Sequence, residues 1–211
     1  MYCKFFKRLF DVILSFVGLI VLSPVFLLIT ILIKIDDGGP AFFKQKRVGI
    51  NKSYFYLYKF RSMKTDAPSN IPTHLLENPE QYISKTGAFL RRTSLDEIPQ
   101  LINILKGEMS IIGPRPALWN QYDLIEKRDL FGANDVRPGL TGWAQINGRD
   151  ELEIDDKVKY DGDYVENLSF GFDCKCFFGT ITSVLKREGV VEGSAETIAK
   201  EKVEVSLTQD E

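Results

Sequence analysis

The chain has 211 residues, 44% of them apolar, with 27 basic against 29 acidic side chains and a formal net charge of −2. That apolar share supports a packed core and excludes disorder throughout, and the length fits one domain with appendages. The lone histidine, His74, lies in a polar loop and argues against a Ser-His-Asp or Cys-His catalytic set. The odd cysteine count, with two in Cys174-Lys175-Cys176, suits a reducing compartment and supplies too few ligands for zinc.

Residues 12–33 carry no charge, and at roughly 1.5 Å of rise per residue they are long enough to cross a bilayer as a helix. Lys4, Lys7 and Arg8 precede the stretch, and Lys34, Lys44, Lys46 and Arg47 follow it. Both flanks therefore look cytoplasmic under the positive-inside rule. Ser23-Pro24 sits in the middle, where proline removes a helix hydrogen bond and serine can re-bond a freed carbonyl. Two readings stay open on these residues: a plain spanning anchor, or a re-entrant helix-break-helix that enters and leaves on one face.

Past the turn at Asp36-Asp37-Gly38-Gly39-Pro40, residues 41–63 read as two short strands joined by Gly49-Ile50-Asn51-Lys52. Lys59 and Arg61 share one face at period two and could hold a phosphate. The same basic hairpin could equally rest on anionic headgroups. Phe55, Tyr56 and Tyr58 suit either an interfacial belt or the core. Residues 65–84, with Pro68, Pro72 and Pro79, read as loop without chemistry.

Ile98, Leu101, Ile102 and Leu105 recur at helical spacing, and Gly107 marks the helix end. Pro99 is tolerated only in a first turn, so Asp96 and Glu97 fall at or just before the helix start. Ser94-x-x-Glu97 is also a capping-box spelling, which would make the acids structural. Arg91 and Arg92 lie just upstream, and Arg115 follows an expected strand over 109–112, held between Pro114 and Pro116. Carboxylates among guanidiniums suit a phosphate site, with those cations and Mg²⁺ neutralising a diphosphate's approach.

Farther on, Arg137-Pro138-Gly139 and Gly142-Trp143 read as a rigid turn, with Gln145, Asn147 and Arg149 as polar neighbours. Residues 155–168 read as a helix with its charges outward, and 170–185 as an interfacial helix against membrane or domain. From Glu188 the chain turns acidic and weakly apolar, as a loose tail does. The expected fold class is α+β, mostly helical, with a re-entrant membrane helix over 1–35, a small catalytic domain with a β-hairpin over 36–187, and the tail over 188–211.

Four stretches go further than composition: KRLFDVILS…LSPVFLL, YKFRSM, RRTSLDEIPQLINILKGEMSIIGPRP and VRPGLTGWAQINGR. Along almost its whole length the chain resembles the bacterial sugar transferases, the small monotopic phosphoglycosyl transferases. With no second domain ahead of the membrane segment, it looks like the family's minimal form. The resemblance implies transfer of a sugar 1-phosphate from a UDP-sugar to undecaprenyl or another polyprenyl phosphate, releasing UMP through a phosphosugar-aspartyl intermediate. It implies Asp96 as nucleophile, Glu97 as ligand of Mg²⁺, and Lys59, Arg92, Arg115 and Arg137 as contacts to the diphosphate and uridine side. Asp161 matches a family acidic position. The resemblance also implies the re-entrant form broken at Ser23-Pro24, at the cytoplasmic face of a bacterial inner membrane.

The expected partners are thus UDP-sugar, polyprenyl phosphate and the lipid bilayer, but not nucleic acid. Downstream glycosyltransferases and a homo-oligomer stay open, as do the donor sugar and the glycan served, whether capsule, exopolysaccharide or glycoprotein. The residues also admit two competing functions. One is a membrane-anchored nucleotide-sugar glycosyltransferase using Asp161-Gly162-Asp163 as a D-x-D metal site, and the other is a non-catalytic assembly subunit.

Overall fold

In the computed structural model the apolar run divides into two helices, α1 (Lys7–Val21) and α2 (Ser23–Asp37), which meet at Leu22 with a bend of 60°. A π-helical turn, Tyr2–Phe6, leads into α1. Pro24 occupies the first turn of α2, where its missing N–H has no helical partner to lose. Ser23 Oγ donates to the Ile20 carbonyl at 2.8 Å, the re-bonding expected of a serine beside a helix-breaking proline. No single helix among the described residues, which are 2–67, 78, 81–148 and 151–186, is long and apolar enough to cross a membrane.

Helix α1 is built inside out. Asp11 and Ser15 are buried, while Phe10, Leu14, Val17 and Val21 are exposed. Asp11 Oδ1 accepts from the Ile111 backbone N–H at 2.9 Å, and a Cβ on Gly18 would lie 3.3 Å from Leu101. Asp11, Ser15 and Gly18 fall at i, i+4 and i+7, so one polar, small-residue stripe faces the domain. Helix α2 places Ile29 and Ile33 in a core cluster with Phe60 and Leu90.

Strands β1 (Phe42–Val48) and β2 (Tyr54–Phe60) form the expected antiparallel hairpin, with Lys44 opposite Tyr58 and Lys46 opposite Tyr56. Asn51 and Lys52 adopt the left-handed conformation that closes the turn. Alternation along β2 sends Phe55 and Leu57 into the core with Ile104 and Met109, and exposes Tyr54 and Tyr56. Phe55 is therefore a core residue, whereas Tyr58 lies beneath the ammonium groups of Lys44 and Lys106.

Helix α3 (Lys85–Arg92) starts at Ser84, whose hydroxyl accepts from the Gly87 N–H. Helix α4 (Gln100–Lys106) ends at Gly107, in the left-handed conformation at φ 89°. The expected apolar stripe on α4 is only half-buried, and its fully buried side is Gln100, Asn103 and Ile104. The difference arises because α1 and β2 pack on two different sides of so short a helix.

β3 (Ser110–Ile112) pairs in parallel with β4 (Gly139–Thr141). This second strand falls within the expected turn, because three residues flanked by proline and glycine show no alternation. A Cβ on Gly139 would lie 2.2 Å from the Gly113 backbone nitrogen, so glycine allows the close approach.

The remainder is helical: α5 (Tyr122–Asp129), α6 (Trp143–Ile146), α7 (Ile154–Glu166) and α8 (Phe170–Lys186). One charge on α7 departs from the outward pattern, since Asp161 is buried against Arg128 of α5. Helix α8 buries Asp173 and Cys176 and exposes Phe170, Phe177, Phe178 and Ile181. Asp173 accepts from Tyr2, Lys7 and Tyr164, tying the N-terminal segment to α7 and α8. Cys174 and Cys176 are free thiols. His74, Arg149, the three loop prolines and the acidic tail over 188–211 lie outside the described residues.

Candidate active site

Asp96 and Glu97 occupy a short 3-10 turn, Leu95–Glu97, that runs into α4 through Ile98 and Pro99. Ser94 opens this turn in the left-handed conformation, φ 56°. Its side chain makes no capping bond, and the Glu97 carboxylate is held by two cations instead. The Ser94 half of the capping box permitted by the spelling therefore does not form.

Lys59 reaches in from the end of β2, with Nζ 2.8 Å from Glu97 Oε1 and 3.9 Å from Asp96 Oδ2. Arg115 donates from Nη2 to Glu97 Oε1 at 2.8 Å and from Nη1 to Oε2 at 3.5 Å. Both carboxylates are buried, at 6% and 7% exposure. Burial pushes the Asp96 carboxyl above the ordinary carboxylate range; Lys59 pulls it down, Glu97 adds to the rise, and Arg91 and Arg115 oppose it. Burial likewise pushes the Lys59 ammonium down, against the attraction of Glu97 and Asp96. Glu97 thus takes the close contacts and leaves Asp96 as the less encumbered carboxylate.

The loop carrying Arg115 is fastened on both sides. Gly113 N–H donates to Thr141 O at 2.8 Å, Arg47 Nη1 to Pro116 O at 2.8 Å, and Val48 N–H to Ala117 O at 3.0 Å. The hairpin that delivers Lys59 therefore also anchors the loop that delivers Arg115, and the two cations sit in one frame around the acids.

The expected site residues divide accordingly. Asp96, Glu97, Lys59 and Arg115 are brought together. Arg92 is exposed at the end of α3, and it is the half-buried Arg91 whose charge bears on Asp96. The helical face of α3 carries the signal for that choice, since Gly87 and Leu90 mark its inward side. Arg61 lies under the turn before β1, where a Cβ on Gly39 would fall within 1.9 Å of its Nη1.

Arg137 donates from Nε to Gly107 O at 3.0 Å, at the opposite end of α4 from the acids, so it is not brought to the pair. Arg8 donates to the neighbouring Ile104 and Leu105 carbonyls, and the two arginines together satisfy the C-terminus of that helix. Asp161 accepts from Arg128 Nε at 2.8 Å and Nη2 at 2.6 Å. Asp163, its companion in the D-x-D spelling, is exposed, so the two carboxylates do not converge and no D-x-D site is formed. Ser23 and Pro24 lie at the α1–α2 bend.

Among the described residues no three His, Cys, Asp or Glu side chains converge on a metal site. The adjacent hard oxygens of Asp96 and Glu97 do match Mg²⁺, which binds through one or two carboxylates and takes its other ligands from phosphates and water.

The family model for bacterial sugar transferases matches residues 2–187. An uncharacterized sugar transferase of Bacillus subtilis is 40% identical over 184 residues, covering 87% of this chain and 89% of the relative. The UDP-glucose:undecaprenyl-phosphate glucose-1-phosphate transferase of Escherichia coli is 42% identical over 187 residues, covering 84% of this chain and 40% of that protein. The undecaprenyl-phosphate galactose phosphotransferase of Salmonella typhimurium is 36% identical over 202 residues, covering 88% and 42%.

Proposed function

Because the chain belongs to the bacterial sugar transferase family, we propose that it is a phosphoglycosyl transferase moving a sugar 1-phosphate from a UDP-sugar to a polyprenyl phosphate, with Asp96 as nucleophile. The names of two relatives, a glucose-1-phosphate and a galactose phosphotransferase acting on undecaprenyl phosphate, support the reaction class. The observation that carries the mechanism is a buried carboxylate, Asp96, beside a second one already neutralised by Lys59 and Arg115.

In the first displacement an Asp96 carboxylate oxygen attacks the sugar-bearing phosphorus. The new bond is the aspartyl O–P, the bond broken is that phosphorus to the bridging oxygen, and the bridging oxygen leaves on UMP. In the second, a polyprenyl phosphate oxygen attacks the same phosphorus and releases the Asp96 carboxylate, giving the polyprenyl diphosphate sugar. No proton is needed in either step, which fits the absence of histidine among the described residues of the site. Lys59 and Arg115 hold Glu97 and present positive charge where the phosphoryl oxygens gather charge in the transition state. Glu97 would hold Mg²⁺, whose charge would offset that of the diphosphate near a carboxylate.

The inside-out α1, the bend at Leu22 and the exposed apolar face of α8 support a re-entrant seat in one leaflet, and the basic residues on both flanks of the apolar run support the cytoplasmic face of the cell membrane. Such a seat brings a soluble donor and a lipid-bound acceptor to one pair of carboxylates. An assay across UDP-sugars with a short polyprenyl phosphate tests this reading. UMP as the nucleotide product supports it, while UDP would assign ordinary glycosyl transfer.

A further inference from the structure

Strand β2 pairs with β1 along one edge only, which leaves peptide groups on its other edge in need of partners. Asn103, wholly buried on α4, supplies them. Its Oδ1 accepts from the Tyr58 N–H at 3.0 Å, and its Nδ2 donates to the Tyr56 carbonyl at 2.8 Å. The side-chain amide stands in for the peptide of a third strand. A second donation, Nδ2 to Glu108 Oε2 at 2.7 Å, orients the amide, because only nitrogen can face a carbonyl and a carboxylate together.

Resting on the proposed phosphoglycosyl transfer, we propose that Asn103 is a positioning residue: its amide sets the register of α4 against β2, and so the distance from Lys59 Nζ to Asp96 and Glu97. Lys59 directly follows Tyr58, whose N–H Asn103 holds. Asp96 and Glu97 lie on the turn that leads into the helix carrying Asn103. The surrounding contacts among Phe55, Leu57, Leu101 and Ile104 are apolar and have no preferred register of their own. A buried amide between apolar layers selects one register, as a single buried polar side chain does in a coiled coil.

The first test needs no turnover. Pulsed acetylation of the full chain in detergent, read by peptide mass spectrometry against the exposed Lys159, reports the accessibility of Lys59. Asn103→Leu leaves the strand edge unsatisfied and should raise Lys59 acetylation several-fold. Should that variant not fold, Glu108→Ala loosens the amide and should move the rate in the same direction. An unchanged Lys59 rate in a folded variant overturns the proposal.

The second test is a double-mutant cycle on the kcat for UMP release. If Asn103 acts through Lys59, a loss of about tenfold on Asn103→Leu should nearly vanish in a Lys59→Met background. Losses that multiply would assign Asn103 to general stability alone and overturn the positioning role. If the wild-type chain releases no UMP, the functional reading fails, and the acetylation result still decides whether Asn103 places Lys59.

Discussion

Lys59 and Glu97, 38 positions apart in the chain, meet at 2.8 Å, and the contact takes the glutamate out of its capping role and makes it part of a charged site. Lys59→Met should therefore lower kcat for UMP release by about 10²–10³, the range found when one preorganised donor is lost. Because Lys59 pulls the Asp96 proton affinity down, its removal should also move the acidic limb of the rate profile to higher pH. Near wild-type kcat with an unmoved limb would contradict the assignment.

Burial of Asp96 has an opposite consequence for stability. The folded carboxyl binds its proton more tightly than the unfolded one, so between the two values the native state holds more protons and stability falls as pH rises. Asp96→Asn should melt at higher temperature than wild type at neutral pH while losing activity. The gain should shrink as pH falls through the folded group's titration toward the ordinary carboxylate range. A melting difference that does not vary with pH would contradict this direction of linkage.

Arg128 and Asp161 form a buried ion pair, and removing either partner strands the other charge. Arg128→Met or Asp161→Asn should cost about 3–5 kcal/mol in denaturant unfolding. Joint replacement, Arg128→Met with Asp161→Leu, should recover much of that loss. At a temperature where the single variants remain folded, KM for the donor should match wild type, and a large rise in KM would return Asp161 to the substrate.

The bend at Leu22 predicts a topology. In a Phe5→Cys variant with the native cysteines removed, a membrane-impermeant maleimide should react only after the cells are opened. Labelling of intact cells would favour a straight span with the N-terminus outside.

Much of this was legible in the residues, and the illegible parts have a common cause. Ser23-Pro24, the hairpin turn at Gly49 to Lys52, Pro99 and Gly107 are local signals, and each element falls where the local chemistry directs. Partners across the fold carry no such signal. The choice of Arg91 over Arg92, the capping of α4 by Arg8 and Arg137, and the pairing of Asp161 with Arg128 depend on which helix face meets which neighbour. Asn103 was hidden for the same reason, being a polar residue within an apolar stretch whose partner strand lies 45 positions away. β4 escaped because parallel pairing of three residues leaves no periodicity to read.

An Asp96 nucleophile becomes covalently phosphoglycosylated, and the mass of the intact protein reads that adduct out. Mixed with its UDP-sugar in the absence of polyprenyl phosphate, the wild-type chain should gain the mass of one sugar phosphate, on the peptide containing Asp96. Asp96→Asn should gain none, and adding the lipid acceptor should discharge the adduct. UMP release from a chain that never carries the added mass, or an adduct on any other side chain, would rule out Asp96 as the nucleophile.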